Sequence, residues 1–570
     1  MPPAAPDPTP CSAETRETGS APPEPSPSSQ GAIDEAVSAP LFVPRLLAML
    51  RERVHDVAFV VLGLALLVAV TWDGFGPRLV TFAPTADYWE HTATYRALLD
   101  DPWTPDNPML ATPASSPRFG PHAVLLALVG GLFGADALGV MSLTAIVNTA
   151  LFLVGIHLFF KEYFRDPRAP LFGLVVMFTS WWKAWDFSNV YQLDVYFGVA
   201  GYPSTAALAL SLIVLTGVVR ALRSAPKPWL LAALSAGFAY IFITHPLTAL
   251  LAFSGCFLLC AFEPGVPLRT RALTALTVVA GLLVARPWPY FPTWGLVAGG
   301  SGDRYSGWMG RSLTEIFGAQ VRSDLHYFYN TTRIAQTFGL ALIGIPVAVY
   351  LLITRRHLFI PLGALSMAAP FVIHAYVPIP LGHRFILLVV FYLQLAVVWL
   401  LLRVSAPFAP ETQARAPVAR WIPAVSVGVV LVFGAWLNVE RAITRFERLP
   451  EGESPIVRYA SKVAEIAGPN AVVLGDAKAL WPVPTFGPKV VAMLHENPLV
   501  ADERERLRDT RAFFSSRTRD AERLQMLDRY RVTHVLVRRN QERVVRPLLS
   551  RRATRHALPG GYALYALSRS

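Results

Sequence analysis

The stretch "HAVLLALVGGLFGADALGV" at residues 122–140 decides how this chain is threaded. Its apolar part, residues 122–134, falls short of the roughly 20 residues a helix needs to cross a bilayer, and its Gly-Gly pair weakens a helix. If this piece crossed, the Lys161, Arg165 and Arg168 cluster would land outside and every later basic loop would be inverted. If residues 138–160 form the second span instead, five clusters share one side: Lys161/Arg165/Arg168, Arg220/Arg223/Lys227, Arg269/Arg271, Arg355/Arg356 and Arg415/Arg420. That side is the cytoplasm by the positive-inside rule. Residues 122–134 are therefore expected to form a re-entrant or interfacial helix in a long outer loop, 74–137.

Upstream, "HDVAFVVLGLALLVAVTWD" at residues 55–73 reads as the first span, and Arg45, Arg51 and Arg53 before it hold the N-terminus in the cytoplasm. Residues 1–44 are rich in Pro, Ser and Ala with few large apolar side chains, so a disordered cytoplasmic tail is expected. It lacks the charged start and apolar core of a cleavable signal peptide, so the first span is expected to be retained. Downstream, spans are expected near residues 170–185, 202–220, 229–244, 247–263, 271–287, 335–354, 358–376, 384–403 and 421–440. About eleven crossings result by the span-length rule. An odd number sends the C-terminus outside.

The expected fold is mainly α: a polytopic membrane bundle over residues 45–445, followed at 446–570 by an extracytoplasmic α/β domain. In that domain "NAVVLGD", "KVVAML" and "VTHVLVRR" read as strands, and "ADERERLRDTRAFFSSRTRDAERLQMLDRY" as one or two surface helices. Composition agrees with a membrane protein, with 53% hydrophobic and 16% charged residues and a mean hydropathy of +0.41. The net charge of +12 is scattered among loops and the tail with no aromatic-basic recognition motif, which argues against nucleic acid and for topology and anionic lipid. Three cysteines, two of them inside an apolar run, indicate neither a disulfide framework nor a zinc site.

On this threading the unusual polar residues collect on one face. In "TADYWEHTATY" (85–95), Asp87, Glu90 and His91 stand at i, i+3 and i+4 and so share one side of a helix. Asp186 and Asp194 bracket "DFSNVYQLD"; His245 lies in "ITHPLT"; Asp303 and Arg304 lie in "GGSGDRYSG"; His383 and Arg384 lie in "PLGHRF". Acids and bases gathered at one face of a membrane bundle point to a site there. Each also has a plain reading: a solvated loop helix, an arginine reaching headgroups, a histidine capping a turn. Asn330-Thr331-Thr332 matches a glycosylation triplet, and Gly475-Asp476 after a strand has no accompanying nucleotide motif.

The order of these features resembles the GT-C glycosyltransferases: a first span, an acidic motif in a long outer loop ("DYWEH"), a short helix on the membrane, then "THP", "GHRF" and a C-terminal α/β domain containing "MLHENPLVADERERLRDTRAFF". The resemblance covers residues 55–570 as architecture. It implies an integral inner-membrane enzyme that moves a sugar, with inversion, from a polyprenyl-phosphate carrier to an envelope glycan, lipid or protein. It further implies Asp87 as general base, with Glu90, His91, Asp186, Asp194, His245, Asp303, Arg304, His383 and Arg384 around the substrates. Arg384 is favoured for the phosphate, because a bidentate fork so near hydrocarbon needs a partner; Arg286 is a further candidate. A divalent metal, held by Asp87 and Glu90, is left open, because those acids are three apart where the family usually spaces them more closely. The rival readings are a transporter or flippase of a lipid-linked glycan and a non-catalytic member of the same fold. The former predicts ionisable residues within the spans and paired broken helices, which the sequence does not display.

Overall fold

The computed structural model describes residues 53–74, 86–183, 190–298, 329–376, 382–405, 421–447, 455–493, 495 and 497–568. Asp186, Asp303 and Arg304 lie outside the described residues, as does the N-terminal segment expected to be a disordered tail. The described residues are mostly helical, 71%.

Helix α1 (Val54–Gly74) is apolar all round, and only 22% of its span is covered by protein, so most of its surface faces lipid. The next described helices are α2 (Ala86–Asp100), α3 (Pro121–Leu132) and α4 (Ala137–Phe164). Helix α3 has 12 residues, about 18 Å at 1.5 Å per residue. That is too short for a hydrocarbon core of about 30 Å. His122 pins it: Nε2 meets Asn148 Oδ1 of α4 at 2.8 Å and Nδ1 meets Tyr240 Oη at 3.1 Å.

Next come α5 (Ala169–Thr179), the short α6 (Leu193–Val199), α7 (Pro203–Arg223), α8 (Pro228–Thr244), α9 (Pro246–Phe262) and α10 (Leu268–Ala285). Gly155 lets α4 lie directly on α7, because a Cβ there would stand 2.7 Å from the Ala209 carbonyl oxygen. Helix α5 ends at Thr179, short of the expected residue 185. Backbone groups beyond it pair elsewhere: Lys183 N donates to Gln336 O at 2.9 Å and Leu340 N to Ser180 O at 2.6 Å.

Helices α11 (Thr331–Phe338) and α12 (Gly344–Ile353) together occupy one expected span. They are separated at Gly339, whose φ of +52° is non-helical and whose missing side chain admits the Trp182 backbone. Helix α13 (Phe359–His374) packs on α14 (Phe385–Val404), and α15 (Trp421–Glu447) follows. The span containing α14 is 94% buried, which accounts for its uniformly apolar sequence.

Among the described residues, six helical spans are long and apolar enough to cross a membrane: those of α1, α4, α7, α10, α11–α12 and α14. Helices α3, α5, α8, α9 and α13 are apolar but shorter. Every expected span falls on a helix, yet the expected eleven crossings rest on six that qualify by length and composition.

The C-terminal module starts with α16 (Pro455–Ala467) and holds a sheet ordered β2-β1-β3-β5-β4. Its strands are β1 (Val472–Leu474), β2 (Lys489–Val490), β3 (His534–Arg538), β4 (Ala553–Leu558) and β5 (Tyr562–Leu567). β1 pairs in parallel with β2 and β3, whereas β3/β5 and β5/β4 are antiparallel. Two helices, α17 (Glu503–Phe513) and α18 (Asp520–Arg529), precede β3, and α19 (Arg539–Leu549) follows it. The module is joined to the loop after α2: Val490 N donates to Met109 O at 2.9 Å, and Lys489 Nζ to Asn107 O at 2.7 Å. One apolar cluster runs from Tyr88, Trp89 and Leu98 of α2 through Val457 and Val463 of α16 to Trp481 and Leu536.

Candidate functional site

Helix α2 places Asp87 in its first turn, where the positive end of the helix dipole favours a carboxylate. One turn on, Glu90 is fully buried. A buried carboxylate needs a cation or donor, and two arrive from elsewhere. Arg118 pairs with Glu90 Oε2, and its Nη2 lies 3.9 Å from Asp87 Oδ1. His495 Nδ1 stands 2.9 Å from Glu90 Oε1 and 3.2 Å from Asp87 Oδ1. The four groups form one compact cluster between α2, the loop before α3 and the C-terminal module.

Local structure explains why Arg118 is available. Asn107 ties its loop together, accepting from Leu110 N at 2.8 Å and donating to Ala114 O at 2.9 Å. Asn497, close to His495 in sequence, donates to Ser115 O at 3.0 Å. The same contact region thus holds both partners of the acids. The indole of Trp481 meets the His495 ring edge-on, with centroids 4.8 Å apart.

Burial by itself raises the Asp87 carboxyl, but the His495 hydrogen bond and then the Arg118, His91 and His495 charges outweigh it and hold it well below the usual carboxylate range. Burial lowers the His91 imidazole to about 4, against the opposing pull of Asp87. His91 faces the Tyr202 ring at 5.0 Å. Burial, followed by the Arg384 charge, lowers His245 to about 3; the charges of His91, Asp87 and Arg118 also reach it. His91, His245, Arg118 and Arg384 therefore share one electrostatic neighbourhood with Asp87.

The other expected residues have local duties. His245 caps α9, its Nδ1 accepting from Thr248 N at 3.2 Å. Asp194 opens α6, which packs on α15. His383 lies in the short turn Gly382–Arg384, its ring 5.9 Å from that of His374. Arg384 is the N-cap of α14. Arg286 is exposed at the end of α10. Asn330 caps α11, accepting from Thr332 N at 2.9 Å, and Asp476 pairs with Arg538 at 2.9 Å. Local sequence spacing singles out neither His495 nor Arg118; the fold brings both to the acids.

Beside the cluster, α2 and the module enclose a cavity of about 550 Å³, within the usual range for small-ligand sites. Trp89, Tyr459, Trp481 and Tyr562 wall it, with Arg538 and Lys478 at its edge. Tyr459 and Tyr562 lie with ring centroids 5.1 Å apart. Among the described residues, the buried Tyr459 Oη and Trp481 Nε1 have no hydrogen-bond partner.

No protein-family model matches the chain, and no curated protein matches it. Solved structures do. AglB, the oligosaccharyltransferase of Archaeoglobus fulgidus, in complex with an inhibitory peptide and a dolichol-phosphate, aligns with a TM-score of 0.53 at 12% identity, covering 91% of this chain and 75% of that one. ArnT from Cupriavidus metallidurans in the apo state aligns at 0.52 and 14% identity, covering 90% and 98%. The chain has the GT-C fold. The arabinofuranosyltransferase AftD from Mycobacteria shares it at 0.54 and 15% identity, over 90% of this chain but 40% of that one. With its apolar helices, the GT-C chain is a multi-pass membrane protein.

Within this GT-C chain, Asp87, Glu90 and His495 also offer a metal-ligand set, with ligand atoms all within 4.8 Å of one another. Two carboxylates and an imidazole suit a divalent ion such as manganese or zinc. The set fits such an ion, in competition with Arg118 for Glu90. His495 thereby adds a third ligand to the two acids at which the sequence left a metal open.

Proposed function

We propose that this chain is an inverting glycosyltransferase that moves a sugar from a polyprenyl-phosphate carrier to an envelope glycan at the outer face of the inner membrane, with Asp87 accepting the proton. The observation that carries the reading is the Asp87–Glu90–Arg118–His495 cluster, set at the seam between a GT-C bundle and its C-terminal module. The dolichol-phosphate bound by AglB belongs to the carrier class proposed here.

In the proposed step an acceptor hydroxyl oxygen bonds to the anomeric carbon while the bond from that carbon to the lipid phosphate oxygen breaks. The phosphate leaves as an anion, and the hydroxyl proton passes to Asp87. A carboxylate held well below its usual range is always ionised but is a weak base. It therefore suits a transfer in which bond breaking leads and the proton moves late. Arg384, at the N-terminal end of α14, offers a guanidinium fork beside the positive end of the helix dipole and suits the departing phosphate. Neutral His91 and His245 suit hydrogen bonds to sugar hydroxyls. Asp186, Asp194, Asp303, Arg304 and His383 remain proposed substrate contacts. Glu90 is assigned to position Arg118 and His495 around Asp87. A divalent ion held by Asp87, Glu90 and His495 would supply positive charge for a phosphate or acceptor oxygen.

The aromatic cavity supports a glycan acceptor, since flat rings pack against the C–H faces of sugars. Support for the orientation comes from the arginines at the opposite end of the bundle, described below. The deciding test is transfer of labelled sugar in reconstituted membranes. Asp87→Asn, which keeps shape and removes the base, should lower the rate by about 10²–10⁴-fold at unchanged expression. Wild-type turnover retained in Asp87→Asn would remove Asp87 from the chemistry, and no transfer by the wild type from any polyprenyl-phosphate sugar would remove the transferase reading.

A further inference from the structure

Far from the acidic cluster, where α4 and α7 end, a second cavity of about 480 Å³ opens. With 28 residues at 1.5 Å each, α4 extends about 40 Å, so this cavity and the Asp87 cluster belong to opposite ends of the bundle. Five arginines line it, Arg165, Arg223, Arg355, Arg356 and Arg403, against one carboxylate, Glu263. Arg223 already holds that carboxylate at 2.6 Å. Among the described residues, Arg165, Arg355, Arg356 and Arg403 have no ion-pair partner.

A basic residue at a helix C-terminus often serves only the helix dipole and the last carbonyls. Arg271 is such a case: its Nε donates to Val266 O at 2.9 Å, and its other nitrogens donate to Cys260 O and Glu263 O. Arg165, Arg355 and Arg356 differ, because no side-chain hydrogen bond engages their guanidinium groups among the described residues. The wall also carries an uncommon backbone. Among the described residues, three of the four non-glycine positions with positive φ, Arg165 (54°), Arg355 (53°) and His357 (46°), belong to it.

The cavity is amphipathic. Leu258, Leu259 and Phe262 of α9 and Phe359 of α13 supply apolar lining, and Phe262 is 41% exposed. Three membrane-length spans, those of α4, α12 and α14, end at residues on or beside it, and the Arg403 guanidinium lies 5.4 Å from the Trp399 ring centroid. An aromatic and basic rim of this kind belongs at headgroup level.

We propose that this pocket binds the phosphate of an anionic phospholipid, its oxygens held by Arg165, Arg355, Arg356 and Arg403 and its acyl chains lying against Phe262 and Leu258. Arginine's planar fork matches phosphate oxygens, and four unneutralised forks around an apolar floor select an amphiphile of negative charge. A soluble phosphate compound shares the recognition chemistry and is the other source the test must separate. The inference does not depend on the transferase reading.

The test is native mass spectrometry of the purified full-length chain offered equal amounts of phosphatidylglycerol and phosphatidylcholine, with inorganic phosphate and pyrophosphate in separate samples. Wild type should retain phosphatidylglycerol over phosphatidylcholine. The double variant Arg355→Gln/Arg356→Gln should reduce that preference by about tenfold, whereas Arg517→Gln on the C-terminal module should leave it unchanged. Arg355→Lys/Arg356→Lys, which keeps charge without the fork, guards against misfolding of the glutamine pair and should fall between the two. Equal retention of phosphatidylglycerol by all variants, or no preference in the wild type, overturns the site. Pyrophosphate bound without phosphatidylglycerol overturns the lipid assignment in favour of a soluble ligand.

Discussion

His495 Nδ1 lies 3.2 Å from Asp87 Oδ1, joining the C-terminal module to the helix that follows the first span. The contact makes the module part of the candidate site, because the same imidazole reaches Glu90. Asp87 alone would be an acid at a helix start. Within the four-group cluster it is a carboxylate whose charge, orientation and surroundings are set by three partners.

Removing Arg118 should destabilise the fold more than removing both members of its pair. Glu90 is fully buried, so Arg118→Ala leaves a buried charge with less compensation, at a cost of about 3–5 kcal/mol. Glu90→Gln combined with Arg118→Gln should recover most of it. Thermal unfolding in detergent of the single and double variants measures the difference; a double variant no more stable than Arg118→Ala would contradict the pairing.

Stability should fall on the acid side in two stages. His91 and His245 have folded values of about 4 and about 3, below the ordinary imidazole value of about 6.5. Between about 6.5 and those values the unfolded chain binds more protons than the folded one, so stability falls as pH falls. Asp87 adds to this at lower pH: its depressed carboxyl contributes fully above the ordinary carboxylate value of about 4 and loses that contribution as pH drops through its folded value. Unfolding curves taken from pH 7 to pH 4 should flatten in His91→Gln; an unchanged pH slope would show that this imidazole is already charged in the fold.

A divalent ion and Arg118 compete for the same carboxylate. Arg118→Gln should therefore bind manganese about tenfold more tightly than wild type, since a nearby like charge is removed. Manganese should also raise the unfolding temperature of that variant by mass action. Electron paramagnetic resonance titration reads the affinity, and His495→Gln should abolish the gain. Equal, weak binding by all three proteins would exclude these residues as a metal site.

The aromatic cavity should govern acceptor affinity more than turnover. Tyr459→Ala and Trp481→Ala are expected to raise the acceptor KM about tenfold, with a smaller change in kcat for Tyr459→Ala, which lies farther along the cavity from His495. A matching fall in kcat without change in KM would move these rings from recognition to the chemical step.

Much of the bundle was legible because a helix in lipid must satisfy its own backbone and therefore announces itself by length and apolarity. The grouping of Asp87 with Glu90 was legible for the same local reason, a spacing of one helical turn. The β4–β5 hairpin was not. "ATRHAL" carries charge on an exposed face with no clean apolar alternation, and only the turn glycines Gly560 and Gly561, with φ of 74° and 77°, mark it. Helix α5 also ends early, because its continuation pairs with Gln336 and Leu340 far along the chain.

The sequence by itself determined that the chain crosses a membrane in helices, that residues 122–134 do not form a full-length span, and that an acid pair lies on one face of α2. All of these follow from interactions within a few residues or between a segment and lipid. Only the tertiary structure decided that Arg118 and His495 are the partners of that pair, that Trp89 and Trp481 wall one cavity, and that arginines from several loops meet in another. Those relationships depend on long-range packing between segments whose local spacing carries no trace of it.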